Sequence, residues 1–288
     1  MSFDTFIGTA WADHADQPAE VADRLARSLA VVESAANVGR FAGLVTHVYG
    51  EHLARFDEGV VLLESMRRLP ACKGDAEAAA TLARGVAVLR YAGRHEAALD
   101  GLSAQDRIAV LATASSALLG RLDFGRAITA CAQALQLADQ HLPEPRAQRA
   151  LAVAGNNLAS SLETKPDRSA SETEGMLRAA EAGLKYWALA GTWLETERAE
   201  HRLARSLLQA GQAFGAIEHA RRCIAVCGAN DAAPFERFFG ETALAIAHRS
   251  AGDDQAFKAA RERASALYAA VPEGEQQWCA SDLKELEA

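Results

Sequence analysis

The strongest constraint on this chain is a spacing of small residues that recurs in its carboxyl-terminal third. In SLLQAGQAFGAIEHARRCIAVC, Gly211 follows a leucine-rich run and is followed five residues later by Ala216. A similar pattern lies 41 residues further on, where Gly252 is followed by Ala256. Small side chains let two helices cross closely, and a glycine at the end of the first helix supplies the left-handed residue that turns the chain. The pattern therefore predicts stacked helical hairpins.

Most of the chain has a helical pattern. Apolar residues recur at intervals of three and four, and all seven prolines lie in or beside polar or glycine-bearing breaks. The connections are too short for a flexible interdomain linker, so we expect one continuous all-α body. The pattern predicts about fourteen helices, at residues 19–36, 38–50, 52–68, 75–91, 94–102, 104–119, 123–140, 146–163, 171–189, 192–209, 212–226, 234–250, 253–270 and 274–286.

Two segments in the middle of the chain resemble a known repeat. GNNLASSLE, at 155–163, and ETEGMLRAAEAGL, at 172–184, are similar to the two helices of the longer, kinesin-light-chain variant of the tetratricopeptide repeat (TPR). The resemblance implies a right-handed superhelical solenoid of about seven antiparallel helix pairs. Residues 38–270 would form the repeats, residues 1–37 a capping segment and first helix, and residues 271–288 a capping helix.

Both ends of the chain carry large apolar side chains that could cover the open ends of a stack. Residues 1–18 contain four of them: Phe3, Phe6, Ile7 and Trp11. This segment either caps the stack or serves as a short docking or dimerising segment, and capping is favoured because open stack ends must be covered. At the other end, we expect Trp278 and Leu283 to pack inward.

The charge and cysteine content narrow the class of protein. A net charge of −8 and the absence of a basic tract disfavour nucleic acid as a partner. Acids stand where a signal peptide needs a basic flank, and no apolar run reaches the length of a membrane span. Five cysteines, mostly in apolar helical patterns, suit reduced thiols. These features predict a soluble cytoplasmic protein without a membrane partner.

One cluster of potential metal ligands stands out. His219, Cys223 and Cys227 are four residues apart and share a helix face, but the two steps span about 12 Å of helix axis. Cys223 also occupies a position where the repeat requires a small buried residue. Core packing is therefore favoured over a metal or redox site, and we predict no metal and no cofactor. No metalloprotease, phosphate-loop or nucleophile-elbow motif is present, which favours a protein that is not an enzyme.

Binding is the function that the sequence favours. The leading interpretation is a scaffold or adaptor that binds a protein or peptide in the concave groove of a TPR-like superhelix. A peptide- or small-molecule-sensing regulatory protein is the alternative, and a metal or redox protein is a third. The oligomeric state is left open.

The predicted binding surface lies on the first helices of the last repeats. Arg198, Arg202 and Arg205 share one face of the helix at 192–209. They either pair with acids of adjacent helices or solvent, or form a stripe that receives an acidic peptide, because a guanidinium suits bidentate carboxylate contacts. Asn157, and Asn156 beside it, resemble the asparagine that grips a peptide backbone in the kinesin-light-chain variant. The predicted peptide-binding residues are Asn156, Asn157, Arg198, Arg202 and Arg205.

Overall fold

A computed structural model describes residues 2–95 and 97–287, and every regular element in these ranges is helical. None of these helices combines the length and the hydrophobicity needed to cross a lipid bilayer. The α-helices are α1 (Phe3–Asp13), α2 (Pro18–Arg27), α3 (Ala35–His47), α4 (Phe56–Met66), α5 (Ala76–Ala92), α6 (Ala104–Leu119), α7 (Phe124–Gln140), α8 (Pro145–Glu163), α9 (Ala170–Ala190), α10 (Trp193–Gln209), α11 (Ala213–Ala229), α12 (Pro234–Ser250), α13 (Asp254–Ala270) and α14 (Glu273–Glu287).

Three short elements interrupt the α-helices of the amino-terminal half. Two are 3-10 turns, at Leu29–Val31 and Pro70–Cys72. The third is a π-helical turn, Val48–His52, that continues directly from α3. Its widened ring is closed by the Leu53 amide, which donates to the Val48 carbonyl oxygen at 3.1 Å.

The chain divides into two compact units, Met1–Ala154 and Gly155–Ala288. In the first unit, α5 packs against α3, α4 and α6. Helix α1 contributes Phe6 and Ile7 to the same core, and the Phe6 ring stacks on Phe41 with centroids 6.0 Å apart. Helix α1 is therefore part of the core of the first unit.

Equivalent turns join the helical hairpins of the second unit. Gly211, between α10 and α11, has φ +73°, and Gly252, between α12 and α13, has φ +76°. The next residue donates the same hydrogen bond in both turns: Gln212 to the Leu207 carbonyl at 2.9 Å, and Asp253 to the His248 carbonyl at 3.0 Å. The predicted glycine turns are therefore confirmed, and their 41-residue spacing reflects a repeated structural unit.

Helices α8 and α9 make an unusually close crossing. A Cβ atom on Gly155 would lie 2.5 Å from the Ala179 carbonyl oxygen and 2.7 Å from the Gly183 amide nitrogen. No real side chain tolerates contacts that short, so glycine is required at position 155. Small residues permit a close approach of two backbones of this kind.

Two sequence predictions about helices are wrong, and because one adds a helix and the other removes one, the number of α-helices in the described ranges still agrees with the prediction. Helix α1 begins at Phe3, although no helix was predicted before residue 19. The helix predicted at 94–102 is absent: its described residues form turns, with Arg94 at φ +67° and Gly101 at φ +72°. Glu96 lies outside the described residues. Two left-handed residues so close together cannot be part of a continuous helix.

The expected inward packing of Trp278 is also wrong. Its side chain is 68% exposed, whereas Cys279 and Leu286 of α14 are buried. Cys279 and Leu286 are seven residues apart and therefore share a face, and Trp278 is rotated by about 100° from that face. Leu283 is half-buried.

Candidate functional site

The three predicted arginines of α10 are each held by a carboxylate from a different helix, and we call Arg198, Arg202 and Arg205 the arginine row. Arg198 is the most exposed member. It donates to both carboxylate oxygens of Glu236 on α12, from Nη2 at 2.5 Å and from Nε at 3.3 Å. This bidentate pair is the strongest geometry available to an arginine and a carboxylate.

The middle of the row is joined to the carboxyl-terminal end of α8. Arg202 donates from Nη1 to Oε2 of Glu163, and Ser206 donates to Oε1 of the same carboxylate at 2.6 Å. The Glu163 side chain is nearly buried and the Arg202 side chain is one quarter exposed. Two donors one turn apart on α10 therefore hold a single, largely desolvated carboxylate.

The last member of the row contacts α14. Arg205 Nη2 donates to Glu285 Oε2 at 2.5 Å. Burial raises the pKa of Asp282, one turn earlier on α14, although the charge of Arg205 acts in the opposite direction. A second arginine, Arg249 of α12, also binds this part of α14: it donates to the backbone carbonyl oxygen of Glu285 at 3.0 Å. An acidic helix of the same chain thus lies against the row.

A histidine next to the row is neutral. Burial holds the pKa of His201 well below its ordinary value, and the charges of Arg202 and Arg205 lower it further. Its ring lies edge-on to Phe239 of α12, with centroids 5.7 Å apart. The positive charge of this surface therefore comes from the guanidinium groups.

The two predicted asparagines lie on α8, and both are half-buried. Asn156 precedes Glu163 by seven residues, so it lies on the same face of α8, about 10 Å away along the axis. Asn157, the next residue, is rotated away from that face by about 100°. Within the described ranges, no hydrogen bond joins either amide side chain to another residue.

The predicted cluster of His219, Cys223 and Cys227 does not assemble. His219 Nδ1 lies 2.6 Å from Oε2 of Glu200 on α10. Glu197 of α10 takes its place: the Cys223 thiol donates to Glu197 Oε1 at 3.1 Å, and the ligand atoms of Glu197 and both cysteines lie within 4.8 Å of one another. All three are buried.

The pKa values of Glu197 and Cys223 in this buried group are raised. The hydrogen bond with Cys227 is the main cause that raises the pKa of Cys223, with burial and Glu197 adding to it. Burial is the main cause that raises the pKa of Glu197 to about 7, and the neighbouring Glu236 acts in the same direction. In the metal-free chain these shifts favour the protonated forms of Cys223 and Glu197.

A second group of potential ligands lies in the first unit, where His14, His47 and His52 each place a nitrogen within 4.8 Å of the others. Sequence reasoning missed it because His47 and His52 are five residues apart, whereas two ligands on one face of an α-helix are expected at a spacing of four. Burial is the main cause that lowers the pKa of His52, and the two neighbouring histidines contribute.

No protein-family model and no curated protein matches this chain. Among solved structures, it is similar to BtubC (BKLC) from P. vanneervenii, with a TM-score of 0.51 and 16% identity over 94% of this chain and 92% of that chain. A kinesin light chain-like protein of Podosopora anserina with nearly identical TPR-like repeats gives a TM-score of 0.48 and 17% identity over 75% of this chain and 95% of that chain. Taken with the repeated hairpins, the likeness to BtubC over most of both chains shows that this chain has the TPR-like repeat fold.

Proposed function

We propose that this protein is a non-catalytic interaction scaffold that binds an acidic segment of a partner protein on the arginine row. Each of the three arginines pairs with a carboxylate of a separate helix, as the first of the two sequence interpretations expects. The observation that carries the proposal is that these pairs lie on one face of α10 and that the row already accommodates carboxylates, which an acidic partner would displace or join. TPR-like folds generally serve as protein-interaction scaffolds. The row supplies such a scaffold with a surface of defined chemistry.

The contacts within the chain indicate how a partner would bind. Glu285 of α14 lies against Arg205 as an acidic helical segment of a partner would, and the partner's carboxylate would displace Glu285 to take that position. Arg198 is the most exposed member and would be reached first. Asn156 and Asn157 would contact the backbone of the partner, because an amide side chain can donate and accept at once.

The proposal predicts that a probe rich in carboxylates binds through the row. We expect a fluorescein-labelled oligoglutamate peptide to bind the full chain, and Arg202→Gln with Arg205→Gln to weaken that binding at least about tenfold, since hydrogen bonds to charged groups contribute about 1.5–3 kcal/mol each. Fluorescence anisotropy at increasing NaCl concentration measures both the affinity and its expected decline with salt. Glutamine is chosen because a glutamate would face Glu163 and Glu285.

The matched control removes the same charge elsewhere. Arg221→Gln with Arg222→Gln, on α11, should leave the affinity nearly unchanged, and circular dichroism should show that both double variants keep the parent's helicity. Asn156→Ala should weaken binding without changing its salt dependence, because its contact is with the backbone. Equal affinity of the row variant and the parent would refute the site.

A further inference from the structure

Three imidazoles converge at one end of α3 in the first unit. His14 directly follows α1, His47 is the last residue of α3, and His52 ends the π-helical turn. The ring centroids lie 4.8 to 5.1 Å apart in all three pairs. His47 Nε2 and His52 Nε2 are separated by 3.1 Å. All three side chains are half-buried, so the cluster is accessible from solvent.

In two of the rings, Nδ1 already lies next to a hydrogen-bond acceptor. His47 Nδ1 lies 3.1 Å from Oε1 of Glu51, and His14 Nδ1 lies 2.5 Å from the carbonyl oxygen of Trp11. A carboxylate or a carbonyl at Nδ1 keeps the proton on that atom and leaves Nε2 with a free lone pair. Histidines that bind zinc almost always have an acceptor of this kind at the other ring nitrogen.

The spacing of one pair of these nitrogens matches a metal site, and the His14 nitrogen lies within 4.8 Å of both. Two nitrogens bound to a tetrahedral Zn²⁺ at about 2.0–2.1 Å lie about 3.3 Å apart, close to the separation of His47 Nε2 and His52 Nε2. A hydrogen bond between these two rings would explain that one distance. It would not explain why His14, at the end of a different helix, joins them, or why its Nδ1 also contacts an acceptor.

The π-helical turn is what brings His47 and His52 together. In an α-helix, residues five apart point about 140° away from each other. The wider turn at Val48–His52 returns His52 to the side of His47. Such turns are rare and frequently found at functional sites. The Trp11 ring packs against His14 and His47, with centroids 5.0 and 5.2 Å away, and covers one side of the cluster.

We propose that His14, His47 and His52 form a three-histidine site for a divalent transition metal, and that Zn²⁺ is the preferred ion. Imidazole nitrogens suit zinc, and a set of three protein ligands leaves the fourth tetrahedral position for water or an anionic ligand. A cavity of about 270 Å³ borders His47 and Glu51 and provides space beside the site. Glu51 acts as a positioning residue through His47.

Zinc binding by the full chain is the direct test. After chelator treatment and removal of the chelator, equilibrium dialysis against Zn²⁺ should give one tightly bound ion per chain. His47→Gln and His52→Gln should each weaken the affinity at least about 100-fold. Glu51→Gln should weaken it about 10–100-fold, as is typical of outer-shell partners. His141→Gln, outside the cluster, should have no effect. Circular dichroism of the metal-free proteins checks folding, and either glutamine variant suffices if the other fails to fold.

Cobalt distinguishes this site from the buried cysteines. Co²⁺ bound to three imidazoles should show visible absorption bands without the near-ultraviolet charge-transfer band that a thiolate ligand produces. That band would assign the metal to Cys223 and Cys227 and overturn the proposal. Failure of the parent chain to bind zinc stoichiometrically would also overturn it, as would unchanged affinity in His52→Gln.

Discussion

Glu197 is a carboxyl group whose protonated form the fold favours. Burial raises its pKa from an ordinary value near 4.5 to about 7. The folded chain therefore binds a proton that the unfolded chain releases, and the free energy of unfolding should fall as the pH rises between about 4.5 and about 7. The charged form of Glu197 thus opposes folding at neutral pH.

This linkage predicts that Glu197→Gln stabilises the protein increasingly with pH. Glutamine keeps the shape of a protonated glutamate and cannot ionise, so its advantage over the parent should grow by on the order of 1–3 kcal/mol between about pH 5 and about pH 8. Urea unfolding of both proteins at a series of pH values measures the difference. A difference that stays constant over this range would show that Glu197 ionises as freely in the folded chain as in the unfolded one.

The sequence predicts which residues share a helix face but not what that face contacts. The placement of Arg198, Arg202 and Arg205 along one face follows from their spacing alone. Their partners are 38, 39 and 80 residues away along the chain, so the pairing depends on how separate helices pack. The presence of Glu197 beside the cysteines, in place of the expected His219, has the same cause. Glu197 is on α10 and the cysteines are on α11, so their contact depends on how the two helices pack.

At the scale of helices, α8 and α9 can cross as closely as they do because Gly155 has no Cβ atom. We expect Gly155→Ala to destabilise the second unit by about 1–3 kcal/mol, because the new Cβ would overlap the backbone of α9. Gly228→Ala is the matched control: Gly228 lies in α11, is exposed and has no atom within 4 Å of the position that a Cβ would occupy, so alanine should stabilise its helix by about 0.5–1 kcal/mol.

Thermal and urea unfolding measure both glycine variants. The two variants should change the free energy of unfolding in opposite directions. This comparison is informative because the same substitution is made in two helices of the same unit. If Gly155→Ala were as stable as the parent, the two helices would have to lie further apart than they do here.

The errors in predicting helices have local causes. The start of α1 carried a readable signal, since Ser2 accepts a hydrogen bond from the Thr5 amide and the core residues Phe6, Ile7 and Ala10 follow a helical spacing. The segment at 94–102 has an apolar pattern too, but it is short and ends at Gly101. The π-helical turn has no local signal of this kind, because all of its residue types also occur in α-helices.

At the scale of the whole molecule, the sequence predicts the all-helical repeat fold but not its division into two units. The boundary between Ala154 and Gly155 falls inside α8 rather than in a loop. No change in composition and no cluster of turn residues marks such a boundary. The repeat was recognisable because Gly211 and Gly252 impose the same turn, and this requirement is visible in the sequence.

The burial of all five cysteines provides each unit with its own chemical reporter of opening. Cys72 and Cys131 lie in the first unit, and the second unit contains three: Cys223, Cys227 and Cys279. Burial raises the pKa of Cys131 to about 11, so its reactive thiolate is scarce as well as inaccessible.

We expect a maleimide to label all five thiols slowly in the folded protein and rapidly in denaturant. Mass spectrometry of peptides after timed labelling gives a rate for each cysteine, and where closing is faster than labelling, that rate reports the free energy of the local opening that exposes it. A thiol that reacts as fast in the folded protein as in denaturant would be exposed, in conflict with its position here. The native sequence thus allows the stability of each unit to be followed separately without the introduction of a probe.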